Sequence, residues 1–147
     1  MPEATLTIRL LDASDIPACV ILYQEAYAAP PYGDGWSDAT CERIIRDLLR
    51  LFPKECFVAE RAGEVLGFIL CSSLAGLRAT VEEFAVRPRY QQQGVGRALL
   101  GHVMSRYRAQ GLPFLELVAN VRAPAYGFYS REGFEETGNY RLMSKQL

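Results

Sequence analysis

The chain has 147 residues, half of them apolar and 22% charged, and its formal net charge is −1. That length suits one ordinary domain around one core, and the composition excludes a disordered or fibrous chain. Near-neutral charge also argues against nucleic acid as a partner, so any anion must be met by local groups.

Four cysteines, Cys19, Cys41, Cys56 and Cys71, lie far apart without a Cys-x-x-Cys pair, and His102 is the only histidine. This pattern points away from zinc and toward reduced thiols that serve as small core hydrophobes. The start, Met-Pro-Glu-Ala-Thr, has no basic region followed by an apolar stretch, and no run reaches the roughly 20 apolar residues of a membrane span. The expectation is a soluble, cytoplasmic protein with no membrane partner.

In chain order, Thr5 to Leu11 alternates with Leu6, Ile8 and Leu10 on one face, which predicts a half-buried first strand. Asp12 offers a cap with Asp15 three residues on, and Ile16, Val20, Tyr23 and Tyr27 follow at helical spacing. The loop Pro30 to Trp36 is rich in turn residues and aromatics, as befits a binding lip. Ser37 then caps a second helix with Cys41, Ile44, Ile45, Leu48 and Leu49 as its buried stripe, and Pro53 closes it. Cys56 to Glu60 and Val65 to Cys71 read as strands joined by the hairpin turn Arg61 to Glu64.

A fourth strand, Thr80 to Val86, stops at Arg87-Pro88. After it comes Gln91-Gln92-Gln93-Gly94-Val95-Gly96-Arg97, whose glycines let backbone approach a ligand and whose amides become the unpaired donors of a helix start. Such a terminus favours phosphate, with Arg97 adding a full charge at the rim. In the third helix Val95, Ala98, Leu99 and Val103 face the sheet, and Gly111 ends it. Phe114 to Val118 is apolar enough for a strand covered on both faces. A short helix spans about Ala123 to Arg131, and Phe134 to Thr137 and Tyr140 to Ser144 flank Gly138-Asn139 as a final hairpin. The resulting order is β-α-α-β-β-β-α-β-α-β-β, an α/β fold with a mixed, mostly antiparallel sheet and helices on both faces.

The run Arg87-Pro88-x-Tyr90-Gln91-x-x-Gly94-x-Gly96 resembles the pyrophosphate signature of the GNAT superfamily of N-acetyltransferases. A second block, Ala125-x-x-x-Tyr129-x-x-x-Gly133-Phe134, resembles the same family downstream, and the order of elements matches its order over nearly the whole chain. The resemblance implies acetyl-CoA as co-substrate and a primary amine as acceptor: a protein N-terminus, a lysine or a small molecule. It places the diphosphate on residues Gln91 through Arg97. It also implies a splay between the fourth and fifth strands that frees backbone groups of Phe84, Ala85 and Val86 for the pantetheine arm.

Presenting an alkyl ammonium as a neutral amine at pH 7 costs about 4.6 kcal/mol, so a base is useful. Glu82 and Glu83 sit on the fourth strand, and alternation sends them to opposite faces. The family's frequent acidic position three residues before the strand end selects Glu83, with Glu116 in reserve. Tyr129 matches the tyrosine that serves the departing sulfur. The resemblance departs at the asparagine often found seven residues before that tyrosine. Arg122 stands there and the asparagine is Asn120, so either can contact CoA. Arg89 and Arg131 are further candidates for a phosphate, and Tyr126 and Phe128 pack under the nucleotide or the sheet. Tyr27, Tyr32 and Trp36 shape the acceptor pocket, where Asp34 and Asp38 faintly favour a cationic amine. His102 reads as structural. A homodimer through the C-terminal strands is a family-level expectation.

Gly94-x-Gly96 is not a dinucleotide fingerprint, because Leu99 stands where the third glycine belongs and antiparallel hairpins precede the loop. The remaining rival is a non-catalytic acyl-CoA-binding or regulatory module on the same fold. It needs the two glycines but neither a base nor Tyr129.

Overall fold

The computed structural model describes residues 2–33 and 35–147. Asp34, one of the two aspartates expected near the acceptor pocket, lies outside the described residues. Strand β1 (Thr7–Leu10) leads into a short 3₁₀ turn (Ala13–Asp15) and helix α1 (Ile16–Tyr27). The turn carries a full capping box: Asp12 accepts the Ser14 N–H and Asp15 accepts the Asp12 N–H. Buried Asp15 also receives both terminal nitrogens of Arg9, at 2.8 and 2.9 Å, while Arg9 Nε donates to Glu60 at 2.6 Å. One guanidinium therefore ties β1, α1 and the next strand together.

Ser37 caps α2 (Asp38–Leu51) by accepting the Thr40 N–H at 3.1 Å. Strands β2 (Cys56–Arg61), β3 (Glu64–Leu74) and β4 (Arg78–Val86) follow, then α3 (Val95–Ala109), β5 (Leu115–Glu116) and α4 (Pro124–Arg131). The sheet runs β1-β2-β3-β4-β5 in space, with antiparallel neighbours except for the parallel pair β4-β5. On one face α1 and α2 cover Cys56, Val58, Phe68, Leu70 and Ala85. On the other, α3 covers Phe57, Ile69, Cys71, Val81 and Val86, and Phe128 and Tyr129 of α4 pack at its edge. All four cysteines are free thiols in these two cores. Among the described residues no helix is long and apolar enough to cross a membrane.

The fold class is the one the sequence predicts, and the differences lie at its C-terminal side. β5 is two residues long, and Phe114 and Val118 are exposed where a strand covered on both faces was expected. The expected last hairpin does not form. Its turn survives as a long Tyr140 N–H to Thr137 carbonyl contact at 3.4 Å, while Arg141 takes the Gly138 and Tyr140 carbonyls at 3.0 and 2.8 Å. A lone hairpin is marginal, and the short β5 offers almost no ladder to build on.

The alternation expected for Glu82 and Glu83 also fails. The β3–β4 register jumps from Leu70↔Glu83 to Cys71↔Val81, so Glu82 is an extra residue in a β-bulge. Ser72, on the same face as Leu70, donates to Glu82 at 2.6 Å. Both carboxylates therefore lean toward the α1 and α2 face, and burial separates them: Glu82 is exposed, Glu83 half-buried.

Candidate active site

The α3 start is built to leave donors free. Its N-cap, Gly94, has φ of +84°, a left-handed backbone that glycine adopts without cost, and no side chain caps the helix. The first helical bond runs from the Ala98 N–H to the Gly94 carbonyl at 3.0 Å, so the amides of Val95, Gly96 and Arg97 have no partner within the helix. Gly96 sits where a Cβ would touch the rings of Phe84 and Phe128 at 3.4 and 3.5 Å, which seats the helix end against β4 and α4. Gln91 donates its side-chain amide to the Val86 carbonyl and Gln93 to the Arg89 carbonyl, each at 3.0 Å. These two glutamines brace the loop from within, and Gln92 turns it with φ of +60°. Arg97 is largely exposed and leans toward Glu132 at 3.6 Å.

Beside this cradle the sheet opens. The β4–β5 ladder stops at Thr80↔Glu116, so Val81 to Val86 have no β5 partner. The Phe84 carbonyl accepts the Tyr27 hydroxyl at 2.9 Å, and the Val86 carbonyl accepts Gln91. Both carbonyls thus point away from β3, whereas Arg87 donates its N–H toward β3, to Leu66, at 2.8 Å. By the alternation of a strand, Phe84 and Val86 offer backbone groups to the open edge and Ala85 offers its own to β3. Of the three residues expected to pair with the pantetheine arm, two face the gap. The glycine-led helix start and the open strand edge adjoin, and together they fit a diphosphate followed by an amide-bearing chain.

On the α1 side of the gap lies a cavity of about 140 Å³, lined by Tyr23, Gln24, Tyr27, Tyr32, Gly35, Trp36 and Glu83. Tyr23 donates its hydroxyl to Glu83 Oε2 at 2.8 Å. Burial pushes the Glu83 carboxyl above the ordinary range, with the Tyr23 bond opposing and neighbouring Glu82 adding to the rise. Periodicity assigns Tyr23 to the core stripe of α1 and says nothing of this bond. The one sequence signal is that Tyr23 and Tyr27 stand four apart on one helical face.

Tyr129 reaches the gap from the opposite face. Its ring packs against Phe84, Phe128 and Phe134, with centroids 6.2, 5.4 and 5.7 Å away. No side chain among the described residues hydrogen-bonds its hydroxyl. Burial raises the phenol pKa, and Tyr32, Cys71 and Glu83 add to the rise.

Other candidates are engaged elsewhere. Asn120 is exposed and its side chain accepts the Arg122 N–H at 2.9 Å, which folds the loop before α4. Arg122 is also exposed. Tyr126 donates to Glu136 at 2.8 Å, and Arg89 bonds Glu64 and lies over the Tyr90 ring. Glu116, exposed on β5, faces Arg78 at 3.9 Å. His102 packs edge-on against Phe57 within the sheet-facing layer. Among the described residues no group of three or more potential ligands for a metal comes together.

Comparison with known proteins identifies the family and the fold. The profile of the acetyltransferase (GNAT) family matches residues 19–134. The ribosomal protein bS18 alanine N-acetyltransferase of Escherichia coli is 32% identical over 136 residues, covering 88% of this chain and 81% of that protein. A peptidyl-lysine N-acetyltransferase, YiaC of Escherichia coli, is 31% identical over 131 residues, 86% of this chain and 82% of that one. Among solved structures, Ard1 from Thermoplasma volcanium superposes with a TM-score of 0.75 at 32% identity, over 90% of this chain and 84% of its own.

Proposed function

The chain belongs to the GNAT family of acetyltransferases, with acetyl-CoA as co-substrate, and from that premise we propose that it acetylates a primary amine held in the tyrosine-lined cavity. Glu83 is the base and Tyr129 the donor to the departing sulfur. The observation that carries this reading is the position of Glu83 and Tyr129 on opposite faces of β4, both beside the stretch where β4 has no β5 partner.

Bound acetyl-CoA supplies a thioester whose carbonyl carbon the neutral amine nitrogen attacks; the C–N bond forms, the C–S bond breaks, and the sulfur leaves as a thiolate that then takes up the proton the nitrogen loses on becoming an amide. The amides of Val95, Gly96 and Arg97 hold the diphosphate, with Gln91, Gln92 and Gln93 shaping the loop. Phe84 and Val86 align the arm along the strand edge, Ala85 fixes the spacing between them, either Asn120 contacts the arm or Arg122 a CoA phosphate, and Tyr126 packs under the nucleotide. Glu83, whose Oε1 is left open by the Tyr23 bond to Oε2, takes the amine's proton. Its raised pKa narrows the gap to the ammonium it must deprotonate. Tyr129 donates a hydrogen bond to the sulfur. Complete proton transfer from a phenol to a thiolate is uphill by about 2 kcal/mol at ordinary pKa values. Burial of Tyr129 makes it more so, which favours hydrogen-bond donation over full transfer.

The acceptor class spans protein N-termini, lysines and small amines, and the names of the relatives include both an alanine and a lysine acceptor. Free thiols in both cores support a cytoplasmic setting, and a net charge of −1 supports a partner list without nucleic acid or membrane. Exposed Tyr140, Leu142 and Met143 support a homodimer through the C-terminal segment, which sedimentation would test.

The decisive experiment measures thiol release from acetyl-CoA against a panel of amines. Amine-dependent release that falls about 100-fold in Tyr129→Phe supports the reading. Tight acetyl-CoA binding with no amine-stimulated release overturns it in favour of a binding module. Gly94→Glu, if folded, should abolish acetyl-CoA binding.

A further inference from the structure

The cavity beside Glu83 carries more information about the acceptor than the family does. Tyr23 is 3% exposed and forms the floor with Glu83, whereas Trp36 is 43% exposed and forms the rim. Tyr23 stacks on Tyr27 at 5.0 Å and on Trp36 at 5.9 Å, and Tyr32 stands edge-on to Tyr27 at 4.6 Å and 67°. Four rings therefore gather around one carboxylate. Among the described residues Glu83 is the only charged one in the lining, and Gln24 is turned outward to the Trp36 carbonyl and Asp38. The guanidinium at the adjoining strand end, Arg87, is occupied by Glu25, Glu64 and the Val65 carbonyl.

Ring faces carry negative potential, so a cluster of rings beside a carboxylate makes a receptor for a cation. Among the described residues no lysine, arginine or histidine lines the cavity to receive an anion. Its volume of about 140 Å³ is also well under the roughly 300 Å³ at which pockets for drug-sized ligands begin, which admits the end of a chain and leaves a bulky scaffold outside.

Resting on the acetyltransferase reading, we infer that this cavity is an aromatic cage that admits the acceptor as a protonated alkylammonium with no carboxylate next to its nitrogen. Lysine side chains, polyamines and amidated amino acids fit; free α-amino acids do not, because their carboxylate would meet Glu83 with no cation to answer it. A quaternary ammonium, which cannot be acetylated, occupies the same cage.

Trp36 is the only tryptophan in the chain, so its fluorescence reports occupancy without turnover. The probe is Nα-acetyl-trimethyl-lysine amide, compared with its neutral isostere in which a tert-butyl carbon replaces the nitrogen. The ammonium probe should change Trp36 emission and bind at least tenfold more tightly than the isostere. It should compete with the amine acceptor and not with acetyl-CoA. Tyr32→Leu and Glu83→Gln should each weaken it about tenfold while leaving the isostere unchanged, and alaninamide should exceed free alanine at least tenfold in kcat/KM. Equal binding of probe and isostere reduces the cage to an apolar pocket and overturns the inference, as does the absence of any emission change. Acetyl-CoA binding measured by calorimetry, and thiol release with any amine, test the acetyltransferase reading separately. The cage fails alone if these persist without ammonium selectivity, and the acetyltransferase reading fails alone if the probe binds but no amine reacts.

Discussion

Glu83 carries opposing influences whose sum fixes two measurable quantities. Burial and Glu82 raise its pKa and the Tyr23 hydroxyl lowers it. Tyr23→Phe deletes the opposing hydrogen bond, so the acid limb of kcat/KM should move to higher pH; a limb that stays put or moves down would mean that Glu83 is not the titrating base. The second quantity is stability. With the folded pKa above the unfolded one, the native state binds more protons between the two values, and stability falls as pH rises through that window. The wild type therefore bears the full cost at pH 8 and none at pH below the ordinary carboxylate range. Glu83→Gln removes the charge and should raise the urea midpoint at pH 8, with the gain vanishing near pH 3. Neither effect was readable from the sequence. The adjacent pair Glu82-Glu83 announces a carboxylate near the strand end, but its environment depends on Tyr23, 60 residues away, and on a bulge that nothing in Leu70-Cys71 or Val81-Glu82 marks.

Two short elements, the α3 start and the β3–β4 crossing, assign different work to three glycines. Gly94 needs its left-handed φ, so Gly94→Ala should cost roughly 1–2 kcal/mol in stability and weaken acetyl-CoA binding as the cradle shifts. A Cβ on Gly96 would make ordinary contacts at 3.4 to 3.6 Å, and Gly96→Ala should bind acetyl-CoA nearly as well as wild type. Gly67 is different again. A Cβ there would lie 2.9 Å from the Ala85 carbonyl and 3.2 Å from Leu99 and Val86, so Gly67→Ala should lower the unfolding free energy by about 1–3 kcal/mol. Thermal melts and acetyl-CoA titration of the three variants separate these effects. The glycine-led start of α3 was legible because its glycines, the preceding strand formers and the following helical stripe are all local. Gly67 was not, since its constraint comes from two other elements. The final hairpin misled for the same reason: Gly138-Asn139 is a sound local turn signal, but strands need an edge to join, and β5 ends after Glu116.

At the scale of the whole molecule, the sheet separates two layers and the β4–β5 gap is where they communicate. α1 brings Tyr23 and Tyr27 to one side and α4 brings Tyr129 to the other, so two substrates can meet across β4 without leaving their own faces. Such a layout favours direct transfer if no protein nucleophile intervenes. The cavity lining holds no cysteine, serine or lysine among the described residues. All four thiols are buried in the cores, and burial pushes each of them up, Cys19 to about 12 and Cys56 to about 11. At pH 7 a thiol of pKa near 11 is about one part in ten thousand thiolate, too little to serve as an acyl carrier. Both substrates must then be bound together before the acetyl group moves. Initial-rate plots against amine at several fixed acetyl-CoA concentrations should intersect, and no acetylated protein should accumulate when acetyl-CoA is mixed with enzyme alone. Parallel lines, or an acetyl adduct on the intact chain by mass spectrometry, would show that a nucleophile reaches the gap and that the two-faced arrangement is not how the transfer occurs.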